Sequence, residues 1–247
     1  MTLFSHFGQR AGCAALALFA AWSASGVVAR AGVDEGDVIV ARSAADQLRI
    51  DGYNPDAEIT VLEPSSGLFN GWIGTEPGFD HLVVDEPEND FFTLESGCQI
   101  RLELVAADPA FRAITNTFAI IDDPGERALL GGSALHTHLT WHVNSDSPMF
   151  DPLKVLWRAT FKLVDTGTTG YAASNEFTFH FATVDCTRGD CNGDTVIDGR
   201  DVADFVATVL NPAGRTDEDR CRADTNRDGY ATVEDVESFV GMLLTGS

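Results

Sequence analysis

The feature that most constrains this chain is a spacing of acidic and amide side chains that occurs twice near its C-terminal end. Asp190, Asn192, Asp194, Asp198 and Asp201 stand at positions 1, 3, 5, 9 and 12 of a twelve-residue window. Asp224, Asn226, Asp228, Thr232 and Asp235 repeat that spacing 34 residues further on. Hard cations such as Ca2+ take six to eight oxygen ligands, and a twelve-residue loop offers them at positions 1, 3, 5, 7, 9 and 12. Position 7 contributes its backbone carbonyl, so Val196 and Tyr230 serve there. The spacing predicts two calcium sites. Like charges ~4 Å apart repel by roughly 1–4 kcal/mol at effective dielectrics of 80 to 20. A segment this short has little core to offset that repulsion. Without cation it is expected to be largely disordered, with calcium binding acting as folding free energy.

The segments C-terminal to the two loops repeat as well. Val202, Phe205, Val206, Val209 and Leu210 fall at i, i+3, i+4, i+7 and i+8, the apolar stripe of a short helix. Val236, Phe239, Val240, Leu243 and Leu244 are the same positions, 34 residues on. The polar runs ahead of Asp190 and Asp224 leave no room for a periodic helix before either loop. Loop followed by helix, twice, with Asp at position 12, resembles a type I dockerin over about residues 186–246. The resemblance implies docking onto a cohesin-like partner. In that family, loop positions 10 and 11 contact cohesin; here they are Gly199 and Arg200 in one copy, Val233 and Glu234 in the other. They differ between copies and from the Ser-Thr type of cellulosomal dockerins. The partner is therefore open between a cohesin, another exported protein and the chain's own preceding domain. Position 6 is Gly229 in the second loop but Thr195 in the first, where a β-branched residue at positive φ would be strained.

The N-terminal stretch 1–31 contains no acidic residue; Arg10 precedes an apolar run from Ala11 to Trp22, and Ala29-Arg30-Ala31 fits a small-residue cleavage site, with Val27-Val28-Ala29 as the other candidate. This pattern is that of a secretory signal peptide, with an apolar run too short to span a bilayer. The expected product is secreted or cell-surface, with no membrane span. Loss of Arg10 and Arg30 from the 16 basic residues would leave 14 against 38 acidic ones. Such a surface repels nucleic acid and anionic lipid and favours cation binding.

Cys13 would leave with the leader, and Cys98, Cys186, Cys191 and Cys221 remain. An even count in an exported chain reads as two disulfides, with three pairings open. Their positions favour Cys191–Cys221, stapling the two loops, and Cys98–Cys186, tying the linker to the preceding domain. No CxxC pair supports a zinc-cysteine site.

Residues 32–185 are expected to form one domain. Ile100, Leu102 and Leu104 alternate with polar residues, as do Leu135, Leu139, Trp141 and Val143; Val155, Trp157, Ala159, Phe161 and Leu163; and Phe177, Phe179 and Phe181. Turn clusters such as Asp122-Asp-Pro-Gly125 lie between them. Period-two runs with such punctuation predict an antiparallel β-sandwich of seven to nine strands. The expected class is mainly β plus a small α module: a sandwich over 32–185, then a dockerin-like EF-hand pair over 186–247.

Within the run from Leu135 to Val143, period two sends His136, His138, Thr140 and His142 to one face. Side chains at i and i+2 stand roughly 6.5–7 Å apart along a strand, near enough for imidazoles to share a Zn2+ or Cu2+ ion, with His180 able to come alongside from a neighbouring strand. The competing reading is a polar, solvent-facing strand. Stretches flanking the prolines, Asp80 to Asp90 and Asp146 to Asp151, read as acidic surface loops and turns. Trp72 fits a core position or a sugar-stacking platform. No nucleophile elbow, zinc-protease motif, phosphate loop or dinucleotide fingerprint occurs. The residues thus favour a non-catalytic exported protein carried by a calcium module. The alternatives are a glycoside hydrolase or carbohydrate-binding component acting on polysaccharide, and a transition-metal-binding surface protein.

Overall fold

The alternating runs at 100–104, 157–163 and 177–181 fold as strands whose apolar faces meet in one core. The computed structural model describes residues 36–54 and 57–245; the leader expected at 1–31 lies outside them. The described chain is mainly β, with fourteen strands in three sheets and three helices near its C-terminal end.

One sheet has four strands in the order β11-β6-β1-β2: His136–Thr137 (β11), Phe79–His81 (β6), Val38–Arg42 (β1) and Leu48–Asp51 (β2). A second has the order β10-β7-β13-β14-β3: Arg127–Gly131 (β10), Ile100–Ala107 (β7), Leu156–Asp165 (β13), Phe177–Ala182 (β14) and Thr60–Val61 (β3). The third runs β4-β5-β12-β8-β9: Glu63–Ser65 (β4), Gly71–Gly74 (β5), Thr140–Asn144 (β12), Phe111–Ile114 (β8) and Ile120–Ile121 (β9). Pairing is antiparallel except between β1 and β6 and between β14 and β3.

Fourteen strands exceed the seven to nine expected. The excess lies in segments such as β3, β9 and β11, only two residues long, too short for alternation to reveal. The long runs behave as their pattern requires. Leu102 and Leu104 from β7, Trp157 and Phe161 from β13, and Phe179 and Phe181 from β14 are buried with Trp141 of β12, Phe111 of β8 and Phe79 of β6. Three sheets therefore share one core. Trp141 is at its centre, with aromatic rings of Phe79, Phe111, Phe161, Phe179 and Phe181 around it and its indole N–H donating to the Pro77 carbonyl at 3.1 Å. Trp72 is half-buried and stacks on Phe150, packed against the same core.

The helices are Val202–Leu210 (α1), Asp217–Ala223 (α2) and Val236–Thr245 (α3). Helices α1 and α3 come directly after the two loops, as expected. Helix α2 corrects the expectation of no helix before the second loop. Its start is a capping box, in which Thr216 Oγ1 accepts from the Asp219 amide while the Asp219 carboxylate accepts from the Thr216 amide. Its buried residues are Arg220, Cys221 and Ala223, a set with no apolar period. None of the helices among the described residues is long and apolar enough to cross a membrane.

The disulfide joins Cys186 to Cys221, whereas Cys98 and Cys191 are buried free thiols. This corrects both favoured pairings. The chain leaving β14 returns beside α2, putting Cys186 opposite Cys221, while Cys191 faces inward into a small cluster with Phe205, Ala223, Ala231 and Phe239. Burial, then the neighbouring Asp201 and Asp190 charges, push the Cys191 thiol up to about 12, so it is an inert packing group.

Candidate metal centre

The two acidic loops have the same hydrogen-bond pattern, shifted by one repeat. At position 1, Asp190 Oδ1 accepts from the Asp194 amide and Oδ2 from the Thr195 amide, both at 3.0 Å. Asp224 does the same with Asp228 and Gly229 at 3.0 and 3.2 Å. At position 12, Asp201 accepts from the amides of Asn192 and Asp198, and Asp235 from those of Asn226 and Thr232, all within 2.8–3.0 Å. Asn192 and Asn226 accept from the amides of Asp194 and Asp228, both at 2.8 Å. The backbone repeats too. Position 4 has positive φ in both copies (Gly193 at 74°, Arg227 at 62°), as does position 6 (Thr195 at 72°, Gly229 at 99°). Thr195 therefore holds the left-handed conformation that its β-branched side chain disfavours.

Each loop closes on buried charge. Asp190, Asp201, Asp224 and Asp235 are all buried, although carboxylates are rarely so without a counter-ion. Burial pushes Asp224 up to about 6, against the opposing pull of the Arg188 guanidinium and with added repulsion from Asp235. Burial raises Asp235 as well. Arg188 is 3.7 Å from Asp224, and Arg200 clamps Asp194 and Asp198 at the rim of the first loop. The donor set fits a calcium ion: carboxylates at positions 1, 5 and 12, an amide oxygen at 3, the Val196 or Tyr230 carbonyl at 7, and Asp198 or Thr232 at 9. The carboxylates of neither loop form a trio with all ligand atoms within 4.8 Å of one another. Opposed ligands 2.3–2.6 Å from one calcium ion are roughly 5 Å apart, so such spread is compatible with that ion.

The module's own core is small. Phe205 and Phe239, equivalent residues of α1 and α3, stack with centroids 4.0 Å apart, and Val209 and Leu243 pack beside them. The remaining stripe residues lie outside this core. Val202, Val206 and Leu210 on α1, and Val236, Val240 and Leu244 on α3, are exposed. The two loop–helix copies meet around this small cluster and leave their outer apolar rows outside.

The second loop and α2 also contact the β-sheet part. The Gly229 carbonyl accepts from the Val155 amide at 3.0 Å, the Lys154 ammonium sits 4.8 Å above the Tyr230 ring, and Arg220 donates to the Pro152 carbonyl at 3.1 Å.

The histidines divide. The run from Leu135 to Val143 is not one strand, since β11 ends at Thr137 in one sheet and β12 begins at Thr140 in another. His136 and His138 stay together, with ring centroids 5.3 Å apart. His142 does not join them. It is buried between Arg112, whose Nε donates to its Nδ1 at 2.9 Å, and the Asn70 carbonyl, 3.1 Å from its Nε2. Burial, with the neighbouring Arg112 charge, lowers its pKa and holds it neutral. His180 lies on β14 opposite Arg158, away from the pair. Asp37 joins His136 and His138 instead, a residue that alternation at Leu135–Val143 could not indicate. Asp80, expected in a surface loop, is buried in β6 across from His136.

No family model matches the chain, and neither a curated protein nor a solved structure shows significant similarity to it.

Proposed function

We propose that this is an exported, non-catalytic protein in which a calcium-ordered C-terminal module attaches the β-sheet part to a protein partner. The observation that carries the reading is the bond-for-bond repetition of the two acidic loops, each closing on buried carboxylates. Two calcium ions, one per loop, neutralise these groups and make ordering of the loop–helix copies favourable. The dockerin-like arrangement then presents the outer residues Val202, Val206, Val236 and Val240 as the contact surface for a cohesin-like or other exported partner. Exposed apolar rows rimmed by charge are a usual composition for protein contact surfaces.

The test uses the full chain. Calorimetric titration should find two calcium ions per chain, with Asp201→Ala and Asp235→Ala each removing one. Immobilised protein should then capture an envelope component in calcium but not in chelator, and Val206→Asp with Val240→Asp should abolish capture without changing calcium stoichiometry. Absence of calcium binding, or capture indifferent to both chelator and the paired substitutions, would overturn the reading.

A further inference from the structure

A second, chemically different group of ligands lies in the four-stranded sheet, at the edge formed by β11. Asp37 immediately precedes β1, His136 opens β11, and His138 comes just after it. Parallel pairing of β1 with β6, and antiparallel pairing of β6 with β11, brings these distant residues together. One ligand atom from each of Asp37, His136 and His138 lies within 4.8 Å of the other two.

Asp37 is the informative member. Its side chain is fully buried; Oδ1 accepts from the Gly78 amide at 3.1 Å, and Oδ2 has no hydrogen-bond partner among the described residues. A buried carboxylate oxygen without a donor is costly. Its nearby basic group, His136 Nδ1, is 3.9 Å away, and the same nitrogen is 3.6 Å from Asp80 Oδ2. Both separations exceed the 2.7–3.2 Å of an N–H···O bond. The 3.9 Å between His136 and Asp37 is near the spacing of co-ligands, since atoms ~2.0–2.2 Å from one tetrahedral ion stand roughly 3.3–3.6 Å apart.

The surroundings agree with a cation at this point. Glu76 Oε1 is 3.3 Å from His138 Nδ1, so three carboxylates (Asp37, Glu76, Asp80) ring two imidazoles. His81 Nδ1 lies 2.9 Å from Asp80 Oδ1 and 3.0 Å from the Leu135 carbonyl, which orients Asp80 toward His136. Gly78 lacks the side chain that would fill the site. A Cβ there would lie 2.5 Å from His138 Nδ1 and 2.6 Å from Asp37 Oδ1. His136 is half-exposed, giving an ion a path from solvent.

We propose that Asp37, His136 and His138 bind a divalent transition-metal ion of the zinc class, independently of the calcium loops. Two imidazoles and one carboxylate are a nitrogen-rich donor set that suits zinc-class ions, whereas calcium takes oxygen ligands. The site sits apart from the acidic loops in sequence and uses none of their residues.

The experiment is a Zn2+ titration of the full chain in millimolar Ca2+, so that the loops are occupied, followed by the absorption spectrum of the Co2+-substituted protein. One Zn2+ per chain is expected, with tetrahedral cobalt bands. His136→Ala, at a half-exposed side chain, should retain the thermal transition of the parent and weaken Zn2+ binding on the order of 100-fold or more, since loss of even an outer partner costs 10–100-fold. His138→Ala should do the same, and Asp235→Ala should leave Zn2+ binding unchanged. Failure of the calcium-saturated parent to bind Zn2+, or equal binding by the parent and both histidine variants, would overturn the site.

Discussion

The amide of Val155, at the entrance to β13, donates to the carbonyl of Gly229 in the second acidic loop at 3.0 Å. The loop's position-6 residue is thereby both a turn residue and a contact with the sheet. Its φ of +99° disfavours any side chain, and a Cβ there would come 2.5 Å from the Leu156 carbonyl. Gly229→Ala therefore meets two independent penalties. Backbone strain costs about 1–3 kcal/mol, and the clash with main chain adds to it. A loss of about 3 kcal/mol or more is expected in calcium-saturated denaturation, together with weaker calcium binding at the second loop. An unchanged midpoint would show that the loop does not seat against β13.

The first loop offers the opposite experiment. Thr195 occupies the equivalent position at φ +72°. Its amide, not its side chain, binds Asp190. Glycine keeps that bond and removes the β-branched strain, while its greater freedom in the unfolded chain subtracts part of the gain. Thr195→Gly should stabilise the calcium-bound module by about 1 kcal/mol and tighten the first site, measured by urea denaturation and calcium titration. Destabilisation would refute the strain.

The second loop should be acid-sensitive. Asp224 in the folded loop is pushed up to about 6, mainly by burial. A carboxylate raised in the folded state favours the protonated fold. Its ionisation therefore costs stability above about pH 6, a cost relieved as pH falls toward the unfolded value near 4. Two units correspond to about 3 kcal/mol. Calcium needs the ionised form, so affinity must move the other way. With Asp201→Ala isolating the second loop, calcium binding should weaken about fourfold between pH 7.5 and 5.5 from this group alone. A flat profile over that interval would mean that burial does not raise Asp224.

How much of this was legible depended on the reach of each determinant in sequence. Each acidic loop is closed by side chains from twelve consecutive residues, so spacing alone indicated which carboxylates and amides repeat and where the strained position falls. Leu102, Leu104, Phe179 and Phe181 were readable because long strands enforce period two. The histidine run misled because its period crosses from β11 into β12, and His142 is buried by Arg112 and Asn70 from other segments. Asp37 has no local signal; only the β1–β6–β11 register carries it to His136. The helix start at Thr216–Asp219 was present in the residues, but a buried face of Arg220, Cys221 and Ala223 does not register as apolar periodicity. The outer rows of α1 and α3 are exposed, and periodicity cannot tell a buried stripe from an exposed one.

The disulfide supplies the remaining test, because it ties the chain after β14 to α2. Cys186 and Cys221 are 35 residues apart, and closing a loop of that length stabilises by about 3–4 kcal/mol in the chain-entropy account. The Cys221 sulfur also lies 3.8 Å from the Val184 carbonyl, so the bond anchors α2 beside the end of the sheet. Cys186→Ser with Cys221→Ser should lower the stability of the helical module by that amount, read from far-ultraviolet ellipticity in denaturant. Core burial of Trp141 and Trp157 does not depend on this bond, so their fluorescence transition should shift less. Alkylation followed by mass spectrometry checks the pairing directly. Unfolded, unreduced protein should take label at Cys98 and Cys191 and leave Cys186 and Cys221 unlabelled; label on Cys186 or Cys221 would refute this bond, and protection of Cys191 or Cys98 would reinstate a pairing through that residue.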